Sequence, residues 1–356
     1  MKIGILTFSR THNFGAILQC YALQETLKKL GAEVYVIDYR QPYIESTNRP
    51  FLWFEFVKRL FKPRSLYHYL KGIKGRTDGE RKFHDFKVNF LNCTKPYRGK
   101  EIPPDFDVYI IGSDQVWSTE CTQGYDPILW GDFKRQQNSK LFAYAISSNA
   151  KSIYGVADER WQTILNRFDG LSFREKSIAD MIVPKTNKSI SICLDPTLLV
   201  GRNIWDRVVD TKWEKENYIL VYEARYLQGQ EFTLRKYAQD LAKKKKCKVI
   251  SRLYDYTPGD FVSLFKYANY VITSSFHGTV FGLIYNKPMT VIQLNDGHDG
   301  RYINLLKSVG AENALISITD PFSEKKINYE IVNQRIEELR KSSINYLNAI
   351  VLTKGV

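Results

Sequence analysis

Short apolar runs alternate with segments of helical period along nearly the whole chain, and this alternation constrains the fold more than any other feature. Ile3–Phe8, Glu33–Asp38, Val108–Ile111, Leu141–Ile146, Gly170–Phe173 and Ile190–Leu194 read as strands. Gly15–Leu30 reads as a helix stopped by Gly31, and a further helix opens at Arg174-Glu175-Lys176. A second set begins at Tyr218–Tyr222. It continues through a helix over Gln230–Lys245, a strand over Lys248–Arg252 and a helix over Gly259–Tyr267. The strand and helix of 271–287 follow, then a strand over Met289–Gln293, a helix over Arg301–Ser308 and a long amphipathic helix over Ile331–Leu352. Strands separated by helices must pair in parallel, with helices on both faces of the sheet. At 356 residues the chain is too long for one core. The expectation is an α/β protein of two doubly wound, Rossmann-like domains facing a cleft: residues 1–201, a connection at 202–216, 217–325, and a C-terminal helix at 326–356 that packs back on the first domain.

Three strands run into a short polar knot and then a helix: Ser9–Gly15, Gly112–Gln115 and Thr273–Gly278. A helix start offers unpaired N–H groups and partial positive charge, which suit an anion. Ser and Thr are also ordinary N-caps. Capping does not call for the imidazole of His277, so proton transfer or phosphate contact becomes attractive there. No dinucleotide-binding glycine pattern, Walker loop, zinc-protease helix or nucleophile elbow is present. Asp105-Phe106-Asp107 precedes its strand, where a metal-binding pair would follow one, and Asp296–Gly300 reads as a polar glycine loop. Five scattered cysteines fit buried thiols of a reducing compartment. The N-terminus reads as a first strand and not a signal peptide, no run of ~20 apolar residues exists, and a cytoplasmic location is expected.

The net charge of +14 points to an anionic partner. It is concentrated: seven basic residues and no acidic one lie between Lys58 and Arg76, directly after the aromatic run Phe51–Val57. Residues 51–76 therefore suit an anionic membrane surface, with the protein peripheral on the inner face of the cell membrane. The plain alternative is a solvated helix whose aromatics face the core. No nucleic-acid-binding motif accompanies the charge, so nucleic acid is set aside.

Asn13-Phe14-Gly15-Ala16, Ile111–Trp117, Ser172-Phe173-Arg174-Glu175, Leu194–Leu199 and Ser275-Phe276-His277-Gly278 occur in order along the chain. Together they resemble the motifs of the polysaccharide pyruvyl transferases. The resemblance implies transfer of a pyruvyl group from phosphoenolpyruvate to two hydroxyls of a sugar, on a fold similar to the type B glycosyltransferases. It implies no metal or organic cofactor, since phosphoenolpyruvate is a co-substrate. By motif, Arg174, Ser275, Phe276, His277 and Gly278 would contact the donor, joined by Arg301 for its guanidinium. Asn13, Phe14, Gly15, Ser113, Asp114 and Gln115 would lie on the acceptor side. Forked guanidinium groups suit the donor's phosphate and carboxylate. His277 is the natural general acid for the methylene carbon; Glu175 and Asp114 compete if burial raises their pKa, or accept a hydroxyl proton instead. A lipid-linked sugar acceptor would rationalise the basic, aromatic segment. The alternatives are a nucleotide-sugar glycosyltransferase of the same shape and a non-catalytic, membrane-associated glycan-binding scaffold.

Overall fold

The computed structural model describes residues 1–353 apart from 49–50, 52, 100–102, 149, 224–232, 252 and 254–255. The chain divides into two units, Met1–Leu199 with Ser342–Val356, and Val200–Lys341. Each is a parallel α/β unit.

In the first unit, β1 (Lys2–Leu6), β2 (Glu33–Val36), β3 (Val108–Ile111) and β4 (Lys140–Ala143) pair in the order β2-β1-β3-β4, all parallel. Next, β5 (Leu171–Phe173) and β6 (Ile190–Ile192) pair with each other and join the β4 side through parallel bridges from Phe142 to Gly170 and Ile146 to Phe173. On the far edge Cys93 and Tyr97 bridge in parallel to Val36 and Tyr39. The result is the Rossmann-like order, reversing direction between β1 and β3. Every residue of β3 is buried, as a parallel strand covered on both faces requires. Alternate residues feed two cores. Tyr109 and Ile111 join the cluster containing Trp117, Trp130 and Trp161. Val108 and Ile110 join the opposite cluster, together with Leu347 and Ile350 from the last turns of the helix Tyr329–Leu352.

The helix Phe14–Lys29 is buried along 13 of its 16 residues. Beyond it, Gly31 at φ +92° donates to Lys28 O (3.0 Å) and Ala32 to Leu27 O (3.2 Å). This Schellman closure favours glycine at the left-handed position.

In the second unit, β7 (Tyr218–Tyr222), β8 (Lys248–Ile250), β9 (Tyr270–Thr273), β10 (Met289–Gln293) and β11 (Leu315–Ser317) form a parallel sheet in the order β11-β10-β9-β7-β8. This is the other common doubly wound order, with its reversal between β7 and β9. Residues 202–216, expected as a connection, fall within this unit. Trp205 packs edge-on to Phe281 at 5.0 Å, Asp210 N donates to Ser263 Oγ (2.7 Å) and Trp213 Nε1 to Asp260 Oδ1 (3.1 Å). The helix expected over Gln230–Lys245 is described from Thr233 to Lys245. Residues 230–232 and 252, included in the sequence expectation, lie outside the described residues.

From the sequence, residues 56–90 read as helical with breaks around Pro63 and around Gly72–Gly79; the second break does not occur. The helix Pro63–Phe90 runs unbroken through Gly72, Gly75 and Gly79. Glycine costs a helix roughly 1 kcal/mol without removing a backbone donor. Pro63 sits in the first turn, where its missing N–H is harmless. Among the described residues no helix is long and apolar enough to cross a membrane, and no group of three or more His, Cys, Asp or Glu gathers to hold a metal.

Candidate active-site clusters

At the reversal of the first sheet the chain leaves β1 through Thr7 and β3 through Gly112 and Ser113. Thr7 Oγ1 donates to Ser113 O (2.9 Å) and accepts from Gln19 Nε2 (2.9 Å), so a hydroxyl bridges the two strand ends. Ser113 Oγ donates to Ala145 O (2.9 Å) beyond β4. Gly112 has φ +117°, and a Cβ there would collide with Tyr144 O. Asp114 follows at φ +75°. A non-glycine residue in that region costs on the order of 1–3 kcal/mol and is common at functional sites. Its Oδ1 accepts from Gln115 N (2.8 Å), and its O accepts from Ser147 N (2.9 Å).

Ser147 leads to the charged centre of this cluster. Its Oγ donates to Glu175 Oε1 (3.1 Å), which also accepts from Arg174 Nε (2.8 Å). Arg174 Nη1 donates to Asp195 Oδ2 (2.7 Å), while Asp195 Oδ1 accepts from Thr197 N (3.0 Å) and Oγ1 (2.6 Å). The side chains of Arg174, Glu175 and Asp195 are 4%, 6% and 0% exposed. Burial opposes the guanidinium's charge, but Glu175, Asp195 and Asp114 outweigh it and raise the pKa of Arg174. Glu175 Oε2 is buried and has no hydrogen-bond partner among the described residues. Three carboxyl groups thus face one guanidinium, which suits neutral hydroxyls better than a polyanion.

The second unit repeats the device. Thr273 Oγ1, at the end of β9, donates to Tyr222 O at the end of β7 (2.7 Å) and accepts from Ser275 N (3.2 Å). Ser275 caps the helix Phe276–Ile284, accepting from Gly278 N at 3.5 Å. A Cβ on Gly278 would collide with Thr273 Oγ1 and lie 3.0 Å from Tyr222 Cδ1, so the first turn closes against the strand only with glycine. His277 is 8% exposed in that turn, its ring 5.1 Å from that of Phe276. No acidic residue occupies the turn, so no side chain within it offsets the partial positive charge of the helix start. Ser274 Oγ, fully buried, has no partner among the described residues.

The structure therefore gathers Ser113, Asp114, Gln115, Arg174 and Glu175 in one unit and Ser275, Phe276, His277 and Gly278 in the other. Asn13 is exposed and accepts from Ala16 N (3.2 Å) as the N-cap of the helix Phe14–Lys29; Phe14 packs on Phe83 at 5.2 Å and Gly15 is buried. Arg301 lies in the first turn of the helix Gly300–Val309, after a loop closed by Asn295 N on Asp299 Oδ2 (2.7 Å). Asp107 Oδ2 accepts from Lys2 N (2.7 Å) at the start of β1. Sequence reasoning named neither Ser147 nor Asp195 as a site residue. It also missed a basic group beyond β2, where Lys87, Arg10 and Arg40 surround Asp38, and both arginines reach Glu45.

A model of the polysaccharide pyruvyl transferase family matches residues 13–296. No curated protein matches the chain in sequence. Among solved structures it is similar to UDP-GlcNAc 2-epimerase from Methanocaldococcus jannaschii, at 12% identity and TM-score 0.49 over 99% of both chains. It is also similar to a glycosyltransferase from Streptomyces sp. SF2575 (15%, 0.44, 99% of both). A third is a heptosyltransferase from E. coli (11%, 0.39, 95% of this chain and 100% of that one).

Proposed function

Because this chain belongs to the polysaccharide pyruvyl transferase family, we propose that it moves the pyruvyl group of phosphoenolpyruvate onto two hydroxyls of a sugar during surface-polysaccharide assembly. The methylene carbon of the donor takes a proton and becomes a methyl group. The oxocarbenium-like carbon so formed is attacked by the first hydroxyl, phosphate leaves, and the second hydroxyl closes the ketal. The hydroxyls give up two protons, of which one balances that taken by the methylene and the other leaves on phosphate. No metal or organic cofactor enters this reading.

The observation that carries it is the buried network Ser147–Glu175–Arg174–Asp195 beside Asp114, inside the span the family model matches. Glu175 is assigned as the acceptor of hydroxyl protons. Its Oε2 is uncommitted among the described residues, whereas Asp114 Oδ1 is held by Gln115 N. Two nitrogens of Arg174 are on carboxylates, so its role is to hold Glu175 in place. The donor's charge is assigned to the helix start at Ser275–Gly278 with Arg301, and the proton for the methylene carbon to His277. Asn13, Phe14, Gly15, Ser113 and Gln115 remain on the acceptor side.

Thermal shift tests the donor. Phosphoenolpyruvate at about 100 times its Kd should stabilise the protein by about 2.7 kcal/mol, and a panel of nucleotide sugars should not. Phosphate release that depends on an added sugar, with a ketal detected on that sugar by mass spectrometry, completes the case. Stabilisation by a nucleotide sugar and none by phosphoenolpyruvate would make the protein a glycosyltransferase. Donor binding with no turnover on any acceptor would favour a glycan-binding scaffold.

A further inference from the structure

The helix Pro63–Phe90 has two different halves. Its last turns are anchored: Phe83 packs on Phe14, and Phe86 and Phe90 pack edge-on to Tyr21. Before Phe83, no residue of this helix is buried. Along it Tyr67, Leu70, Lys71 and Lys74 stand at i, i+3, i+4 and i+7, on one face. Just before it, the helix Trp53–Arg59 sets Trp53 and Val57 one turn apart, with Leu60 a turn further on. Seven of the thirteen exposed large hydrophobic residues described in the protein fall between Phe51 and Leu70, with Trp53 at 69% and Phe61 at 93%. Lys58, Arg59, Lys62, Arg64, Lys71, Lys74 and Arg76 are interleaved with them, and no acid interrupts Lys58–Arg76.

Water is a poor solvent for so many apolar side chains in so short a stretch. A second copy is a poor partner, since a two-fold contact through this face would set seven cations against seven. Nucleic acid would match the charge and could stack on the rings, but offers little to Val57, Leu60 and Leu70. A bilayer of anionic lipid satisfies all three kinds of side chain: aliphatic groups in the acyl boundary, Trp and Tyr at headgroup depth, and Lys and Arg on the phosphates. We propose that residues 51–76 dock the protein on an anionic phospholipid bilayer without spanning it. This stands independently of the reaction assigned above.

Flotation of the full chain with phosphatidylcholine vesicles, with and without phosphatidylglycerol, reads it out. The chain carries its own probe: of six tryptophans, Trp117, Trp130, Trp161 and Trp205 are buried and Trp213 is partly so, leaving Trp53 as the exposed one. The expected result is binding to the phosphatidylglycerol vesicles, with Trp53 shielded from an aqueous quencher and its emission moved to shorter wavelength. Binding should fall steeply as salt shortens the Debye length. Replacing Lys58, Arg59, Lys62 and Arg64 together by Gln should weaken it on the order of 1000-fold. These side chains are exposed or partly exposed, so the fold should tolerate the change. Trp53→Ala with Phe61→Ala should weaken binding without removing its salt dependence. Equal binding to both vesicle types, binding to neither, or binding to the charged vesicles that survives both variants overturns the proposal. So does self-association, or RNA binding without vesicle binding, that depends on the same residues.

Discussion

Replacing Arg174 by Met tests the centre of the first cluster. The guanidinium makes charge-assisted bonds of 2.8 Å to Glu175 and 2.7 Å to Asp195, at side chains no more than 6% exposed. Met keeps much of the volume and removes the charge, so two carboxylates stay buried without their cation. Breaking such a pair costs about 3–5 kcal/mol, more than the pair itself is worth, because the surviving charge is uncompensated. In a unit of roughly this size each kcal/mol moves the melting temperature by about 2–4 °C. The midpoint of the first unit should therefore fall by about 6–20 °C. In urea the midpoint concentration should drop with little change in slope.

A second variant isolates the cause. Asp195→Asn alone weakens the contacts to Thr197, but alongside Arg174→Met it also removes one uncompensated charge. The double variant should lose at least ~1 kcal/mol less than the sum of the singles, a coupling expected only of groups in contact. A loss below ~1 kcal/mol for Arg174→Met, or strict additivity, would refute the reasoning. The same proteins bear on the reaction. If Arg174 only holds carboxylates, calorimetry on folded Arg174→Met should find phosphoenolpyruvate affinity nearly unchanged. A weakening of about 2–4 kcal/mol, the scale of a lost desolvated charge pair, would return the guanidinium to the donor, as the sequence motif implies.

Three further outcomes are expected. Gly278→Ala should destabilise the second unit by about 1–3 kcal/mol through overpacking against Thr273 and Tyr222; a neutral effect in denaturation would show the helix start to be looser than described. His277→Asn should lower turnover ~100-fold or more while donor binding survives, and lost binding with unchanged turnover number would assign His277 to phosphate contact. In the basic group beyond β2, burial opposes ionisation of Asp38, but Lys87, Arg10 and Arg40 hold its pKa below the ordinary 3.8. The stability this contributes is present above the unfolded-state pKa and lost as pH falls through the lower folded value. Lys87→Met should thus cost about 1.5–3 kcal/mol at neutral pH, with a gap to the parent that closes in acid; melts showing a constant gap would contradict it.

The parallel sheets were legible because a strand covered on both faces must be apolar along nearly its whole length. Val108–Ile111 and Tyr270–Thr273 are buried throughout. Strand ends were less so. Leu141–Ile146 looks like one run, but the paired strand stops at Ala143, and Ala145 at φ +44° turns the chain before Ile146 bridges to Phe173. Apolar composition does not reveal a change of backbone direction. Polar composition misled at 202–216, where Trp205 and Trp213 mattered more than the charges around them. The three-residue β11 is too short to show a period.

The candidate site was legible only where it is local. Asn13 and Ser275 cap helices through bonds three residues long, and such spacings can be read by eye. Asp195 and Ser147 meet Arg174 and Glu175 across 21 and 28 residues, so nothing short of the fold connects them. The structure adds a chemical distinction among the three polar knots that the sequence treats alike. At the two sheet reversals a threonine hydroxyl ties the first strand end to its neighbour, through Thr7 to Ser113 O and through Thr273 to Tyr222 O. Around these ties Ser9 Oγ, Gln19 Oε1, Glu175 Oε2 and Ser274 Oγ are among the atoms buried without a partner among the described residues. An unmatched buried polar atom costs about 1–3 kcal/mol, a cost that a ligand group bound at the carboxyl ends of the sheets would offset. A sugar hydroxyl can donate to Glu175 and to either serine, while an anionic oxygen can only accept, and so takes its bond from a serine hydroxyl. On the function proposed above, hydroxyl recognition centres on Glu175 and anion recognition on the helix start beside Ser274, and these atoms have the chemistry that reading needs.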